Sequence, residues 1–146
     1  STMMLGCDGD LAGNGKNTSV YMNDFGLPAR NHRIPYVLEK GGKFSLEYGD
    51  KSWAEARKDA LSKGGDLATI ANGAEWARLS KVVLASGEGN GFHFWIGATD
   101  QKTEGKWKQV DGTDLAFTQW YRRQPDNSGN EDFLAAIIDR TFKIPD

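Results

Sequence analysis

Cysteine is almost missing from this 146-residue chain: Cys7 stands alone. No intrachain disulfide can form, so packing must hold the fold, and an oxidising compartment is neither required nor excluded. No apolar run approaches the roughly 18 residues needed to cross a membrane as a helix. The first residues, Ser1 to Gly6, lack the charged-then-apolar layout of a signal peptide, and the chain reads as a mature piece or an excised domain. Charge of one sign is not in excess either. The formal net charge is −2 and Lys and Arg form no cluster, which argues against a nucleic-acid partner, since that would want a basic face. No nucleophile elbow, phosphate loop, His–Glu metal motif or EF-hand pattern occurs.

What is present suits one globular domain. The length can bury a sizeable core without staples, and 38% hydrophobic residues with five Trp argue against disorder. After a short apolar start at Thr2 to Leu5, Cys7 to Asn17 reads as a loop. Strands are expected at Ser19 to Met22, Arg33 to Glu39 and Lys43 to Tyr48, with a turn at Gly41-Gly42 and Pro35 near an edge or a strand start. Ser52 to Lys63 predicts a helix: Ser52 and Glu55 make a capping box, Trp53, Ala56, Ala60 and Leu61 share a face, and Gly64-Gly65 ends it. Asp66 to Ile70 is an extended link. A second helix spans about 73–85, with Trp76, Leu79, Val83 and Leu84 inward. Phe92 to Gly97 and Lys106 to Val110 read as strands, with a turn at Asp111-Gly112. Residues 113–132 are polar and loop-like. Phe133 to Ile138 is fully apolar and expected in the middle of a sheet.

The chemistry concentrates in Gln124-Pro125-Asp126-Asn127-Ser128-Gly129-Asn130-Glu131-Asp132, where seven of nine side chains offer oxygen. By itself this stretch is equally a solvated turn. Two more oxygen-rich clusters, Thr99 to Gly105 and Asn23-Asp24, favour a hard cation. Calcium takes 6–8 oxygen ligands, which without an EF-hand would have to converge from several loops. Asp8, Asp10 and Asn14 are also oxygen-rich, but there the turn reading prevails.

Taken together, Trp53-x-x-Ala56, Asp66-Leu67-Ala68-Thr69-Ile70, Trp95-Ile96-Gly97, Gly105-x-Trp107, Trp120, Gln124-Pro125-Asp126, Glu131-Asp132 and Asn23-Asp24 resemble the C-type lectin-like domain over most of the chain. The resemblance implies an α+β fold in which two helices flank small antiparallel sheets with a long calcium-binding loop region. It departs from the family in two ways. Most members carry two disulfides, and the matching positions here are Ala60 with Leu38 and Phe133 with Leu27. Apolar packing would have to replace bridges worth roughly 2–4 kcal/mol each, a pattern that suits a bacterial or viral relative. Order is the second departure. The family's Asn-Asp pair and its terminal strand follow the Glu-Asp strand, whereas Asn23-Asp24 and Tyr36-Val37-Leu38-Glu39 precede it here. Circular permutation within one domain, 1–146, with 19–39 supplying the normally C-terminal strands, is the simplest account. A chain cut across tandem repeats is the other.

Carried over residue by residue, the resemblance implies one Ca2+ held by Gln124, Asp126, Glu131, Asn23 and Asp24, which also bind the sugar. A second, structural Ca2+ would fall to Asp100, Glu104, Asn127 and Asp132. Gln-Pro-Asp is the family's galactose-type order, with fucose left open. Stacking aromatics could come from Trp120, Tyr121 or His93, although packing or incidental surface is the favoured reading of each. The expected function is a non-enzymatic, calcium-dependent lectin, the glycan-binding part of a larger surface adhesin, extracellular or at the cell surface. Its partners would be glycans on cell surfaces or glycoproteins, with no nucleic acid and no membrane insertion. The alternative is a lectin-like domain that binds protein or another non-sugar ligand. A two-carboxylate glycosidase using Asp126 and Glu131 is disfavoured, because carboxylates engaged with calcium are poor general acids.

Overall fold

A computed structural model describes residues 19–25, 34–100, 102, 106–120 and 133–141, with backbone alone for Asn23, Asp24 and Phe25. In chain order these form β1 (Val20–Phe25), β2 (Ile34–Lys40), β3 (Lys43–Lys51), α1 (Trp53–Ser62), β4 (Asp66–Leu67), α2 (Gly73–Ala85), β5 (His93–Thr99), β6 (Lys108–Gln109) and β7 (Phe133–Ile138). The strands make one sheet in the order β1-β7-β5-β2-β3, with β4 beside β2 and β6 beside β5. The α+β class stands, but the small antiparallel sheets expected from the sequence are a single mixed sheet. β2 joins its two halves: it is antiparallel to β3 through the Gly41-Gly42 hairpin and meets β5 in parallel at Tyr36–Trp95. Both hairpin glycines have positive φ, 61° and 79°, which an L side chain would resist in so tight a turn. Pro35 sits at the second position of β2, where the register with β3 shifts, as a residue without an N–H requires.

Alternation along the strands sorts the core into two layers. Val20 and Met22, Val37, Phe94 and Ile96, and Leu134, Ala136 and Ile138 pack with Trp76, Leu79 and Val83 of α2. Tyr36 and Leu38, Trp95 and Ala135 pack with Ala56 and Ala60 of α1. A sheet covered on both faces explains why β7 is apolar without alternation. Gly97 is needed where β5 crosses the 67–68 backbone, since a Cβ there would lie 2.8 Å from the Ala68 carbonyl oxygen.

Helix α1 starts as its sequence predicts, with Ser52 and Glu55 capping each other's backbone N–H. Ala56 and Ala60 are buried, but Leu61 is 52% exposed, because eight residues on from Trp53 it has rotated about 80° away. In α2, Leu84 is only half-buried, and Ser80 takes an inward position while donating its hydroxyl to the Trp76 carbonyl. The strand expected at 106–110 reduces to two residues. Within it, the Gln109 side-chain amide accepts from the Ile70 N–H and donates to the Ile70 carbonyl, tying this short strand to the segment before α2.

The positions matching one family disulfide, Ala60 and Leu38, lie in the same apolar cluster. Beside them a polar tie joins α1 to β2 and β3. The Tyr36 hydroxyl donates to Asp59 at 2.6 Å, and Lys63 pairs with both Asp59 and Glu47 at 2.9 Å. Burial and the neighbouring carboxylate push the Tyr36 phenol up to about 12. Hydrogen bonds from Tyr36 and Lys63 hold the Asp59 carboxyl below its ordinary value.

Candidate functional site

Three strands stop in one row at one end of the sheet. Phe25 of β1 faces Phe133 of β7, and Phe133 faces Thr99 of β5. One residue back along β1, Asp24 is opposite Leu134, and Asn23 is opposite Ala135. With strands about 4.8 Å apart, this row spans roughly 10 Å. It brings the backbone of Asn23-Asp24, the Thr99-Asp100 junction and the residue following Glu131-Asp132 to one edge, although about 100 residues of sequence separate the first from the last.

The polar loop is anchored to the same strands. Residues 113–120 run beside β1, where the Met22 N–H donates to the Gln119 carbonyl at 2.7 Å and Met22 bridges Trp120. The Gln119 side chain and the Trp76 indole both donate to the Val20 carbonyl. The described chain thus has Trp120 beside Met22 and Phe133 opposite Phe25. Val20, Tyr21 and Met22 are fully buried, so β1 is built into the core and is no appendage.

Of the residues expected to bind, Gln124, Asp126, Asn127, Glu131, Asp132 and Glu104 lie outside the described residues, as do the side chains of Asn23 and Asp24. Asp100 is described: it directly follows β5 and is 3% exposed. Among the described residues, no three His, Cys, Asp or Glu side chains are grouped so as to hold a metal. The candidate aromatics separate. His93 pairs with Ile137 at the opposite end of the sheet, its Nδ1 2.8 Å from the Gly91 carbonyl, which removes it from this edge. Trp120 is half-buried against the core with its ring centroid 5.7 Å from that of Trp107. Tyr121 lies outside the described residues. Reading the sequence did not find the stacking of Trp53 on Phe133, and no local signal announces it.

A family model described as the lectin C-type domain matches residues 49–142. The chain belongs to the C-type lectin domain family. This C-type lectin domain is 41% identical over 110 residues to C-type lectin domain family 4 member F of Rattus norvegicus, covering 69% of the chain and 19% of that protein. It is 34% identical over 84 residues to the galactose-specific lectin nattectin of Thalassophryne nattereri, covering 57% of the chain and 52% of the relative. It is also 32% identical over 88 residues to human C-type mannose receptor 2, covering 60% of the chain and 6% of the receptor. The lectin domain thus spans about half or less of the length of these relatives. All three names denote lectins or receptors. All three are animal proteins, which lends no support to the expected bacterial or viral affinity. Among the described residues of the lectin domain, no helix is long and apolar enough to cross a membrane.

Proposed function

We propose that this lectin domain is a non-enzymatic, calcium-dependent carbohydrate-binding module whose connectivity is circularly permuted relative to the family. Gln124, Asp126, Glu131, Asn23 and Asp24 would hold the principal calcium, and Asp100, Glu104, Asn127 and Asp132 a second, structural one. The donor set fits: every side chain presents a hard oxygen, and carboxylate and amide oxygens are what calcium takes. A bound calcium supplies coordination positions that two neighbouring sugar hydroxyls can fill. The protein's own part is to recognise those hydroxyls, carboxylates accepting their protons and amide N–H groups donating to their oxygens.

The observation that carries the reading is the row Phe25–Phe133–Thr99. Without Asn23-Asp24 the Pro triplet and Glu131 offer three ligand side chains, too few for a tight site. The register of β1 on β7 supports their contribution from the far end of the chain. The permuted reading rests on the order of segments in the sequence, where Asn23-Asp24 and Tyr36-Val37-Leu38-Glu39 precede Glu131-Asp132.

Gln124-Pro125-Asp126 favours galactose-type sugars, with fucose next. The relatives' names include both galactose and mannose, so the triplet of this chain, and not kinship, supports the choice. The domain would act as the glycan-binding part of a larger extracellular or cell-surface adhesin, with weak single-site affinity made effective by multiple copies. A glycan array run with and without calcium tests the reading. Binding to galactose- or fucose-terminated glycans only with calcium is expected. Binding that survives chelation, or no glycan binding beside a protein ligand, would replace it with the non-sugar alternative.

A further inference from the structure

The two outer strands of the sheet are finished differently. Beside β1, Gln119 and Trp120 meet Met22. Beyond β3, among the described residues, no strand follows. An open edge is a row of backbone donors and acceptors that another strand can fill. β3 holds one register with β2 from Lys43 to Glu47, and the register shifts past the Tyr36–Glu47 pair. The regular run thus has Ser45 at its centre. Lys40 and Lys43 close the two-residue Gly41-Gly42 hairpin, so alternation turns the backbone N–H and C=O of Phe44 and Leu46 outward. Side chains alternate as well. Glu47 lies on the α1 face, where it takes Lys63, and Lys43 and Ser45 share that face. Phe44 and Leu46 pack into the core that α2 covers, and Tyr48 follows them with 57% of its surface exposed.

We propose that β3 is a self-association edge, on which a second copy of this chain pairs antiparallel with Ser45 at the twofold axis. The edge complements itself. In that register Lys43 faces Glu47 of the second copy, and the axis repeats the pair. Opposite charges directly across two strands stabilise the pairing, and like charges destabilise it. Phe44 faces Leu46 of the second copy, so the outward backbone groups exchange hydrogen bonds and the apolar layer on the α2 side continues across the junction. Tyr48 comes level with Gly42 of the second copy, where a Cβ would meet nothing within 4 Å, so the exposed ring has room. Neighbouring registers fail. An axis at Glu47 sets Glu47 against itself and Lys43 against Lys51. An axis at Leu46 leaves Lys43 opposite Gly49 and carries the pairing past the shift in β3. Charges that guard an edge repel a second strand; these attract one. The pairing uses no residue of the proposed calcium site and does not rest on that reading. For the sugar reading, it supplies two sites in one body.

The experiment is sedimentation equilibrium on the full chain over a concentration series, with thermal melts of dilute protein as a separate measure of folding. The average mass is expected to rise with concentration toward twice that of one chain, in calcium and in chelator alike. A single-chain mass throughout overturns the proposal. Lys43→Glu sets like charges together at both symmetry-related pairs, and it is expected to weaken association at least tenfold while leaving the dilute melt unchanged. Association undiminished in Lys43→Glu places the contact elsewhere and overturns the edge. Cross-linking then reads the register without touching any charge pair. In a Cys7→Ser chain, Ser45→Cys lies against its own symmetry mate and is expected to give a reducible covalent dimer on oxidation. Lys43→Cys in the same background lies about 14 Å from its mate, four residues along the strand, and is expected to stay single. Cross-linking through position 43 and not 45 overturns the register.

Discussion

The two ends of the central strands are finished differently. At the His93 end, backbone groups are closed against each other: Gly91 N–H donates to the Ile138 carbonyl, Ile138 N–H to that of Phe92, and Asp139 N–H to that of Ser19. Asp139 then folds its carboxylate onto the N–H and hydroxyl of Thr141, and Asn90 accepts from the Arg140 N–H. The oxygens there serve neighbouring residues. At the Thr99 end, three strands stop in one row, and the residues beyond are carboxylates and amides drawn from distant parts of the chain. Composition alone does not separate these ends, since both are rich in Asp and Asn. At the His93 end, local sequence supplies the donors that those oxygens accept from.

The largest expected effect that can break this contrast is at Asp24. Asp24→Ala should abolish sugar binding and weaken calcium while leaving the domain folded at high calcium, and Asn23→Ala should do the same less severely. Normal sugar binding by Asp24→Ala would show that the row does not complete the site. Next comes specificity: Gln124→Glu with Asp126→Asn keeps the charge and exchanges acid for amide, so preference should move toward mannose-type sugars on an array. Undiminished galactose binding would remove the triplet from specificity.

Removing calcium should act on the Thr99 end alone. At a hundredfold excess over Kd, a ligand that binds only the folded state stabilises by about 2.7 kcal/mol. Chelation should therefore lower Tm by roughly 5–10 °C. Acid should act in the same direction, because metal-bound carboxylates have depressed pKa values and release calcium as pH falls. A Tm indifferent to chelator would end the calcium reading.

Away from both ends, Tyr36→Phe should cost about 1.5 kcal/mol at neutral pH, read by urea melts, through loss of a hydrogen bond to a charged group. Asp59 has a lowered pKa when folded. Its contribution is complete above the ordinary carboxylate value of about 4 and fades as pH falls through the lowered one. The difference between Tyr36→Phe and the parent should shrink there and be unaffected by calcium. The smallest effect is expected for Asp139→Ala, about 1 kcal/mol of stability from a lost turn, with calcium affinity unchanged. A change in calcium affinity would mean that the two ends are not independent.

Local signals decided the elements. Ser52 and Glu55 cap α1 because a capping box needs only four consecutive residues, and the Gly41-Gly42 hairpin needs only its own two φ angles. Trp76, Leu79 and Val83 announce the buried face of α2 by spacing alone. The oxygen-rich stretch 124–132 and the motifs that resemble the lectin family are equally readable in one dimension. Tertiary structure alone decided the rest. Leu61 lies at the edge of the apolar face of α1, about 80° round from Trp53, and the sheet covers only the Ala56–Ala60 stripe, so it faces solvent. β2 lies between β5 and β3, and β1 lies on β7, and in that order these strands bury apolar residues against both helices. Pairing between segments some hundred residues apart leaves no periodic trace in either one. It follows from which edges remain open once the local elements have formed, and that choice brings Asn23-Asp24 to the row where β5 and β7 end.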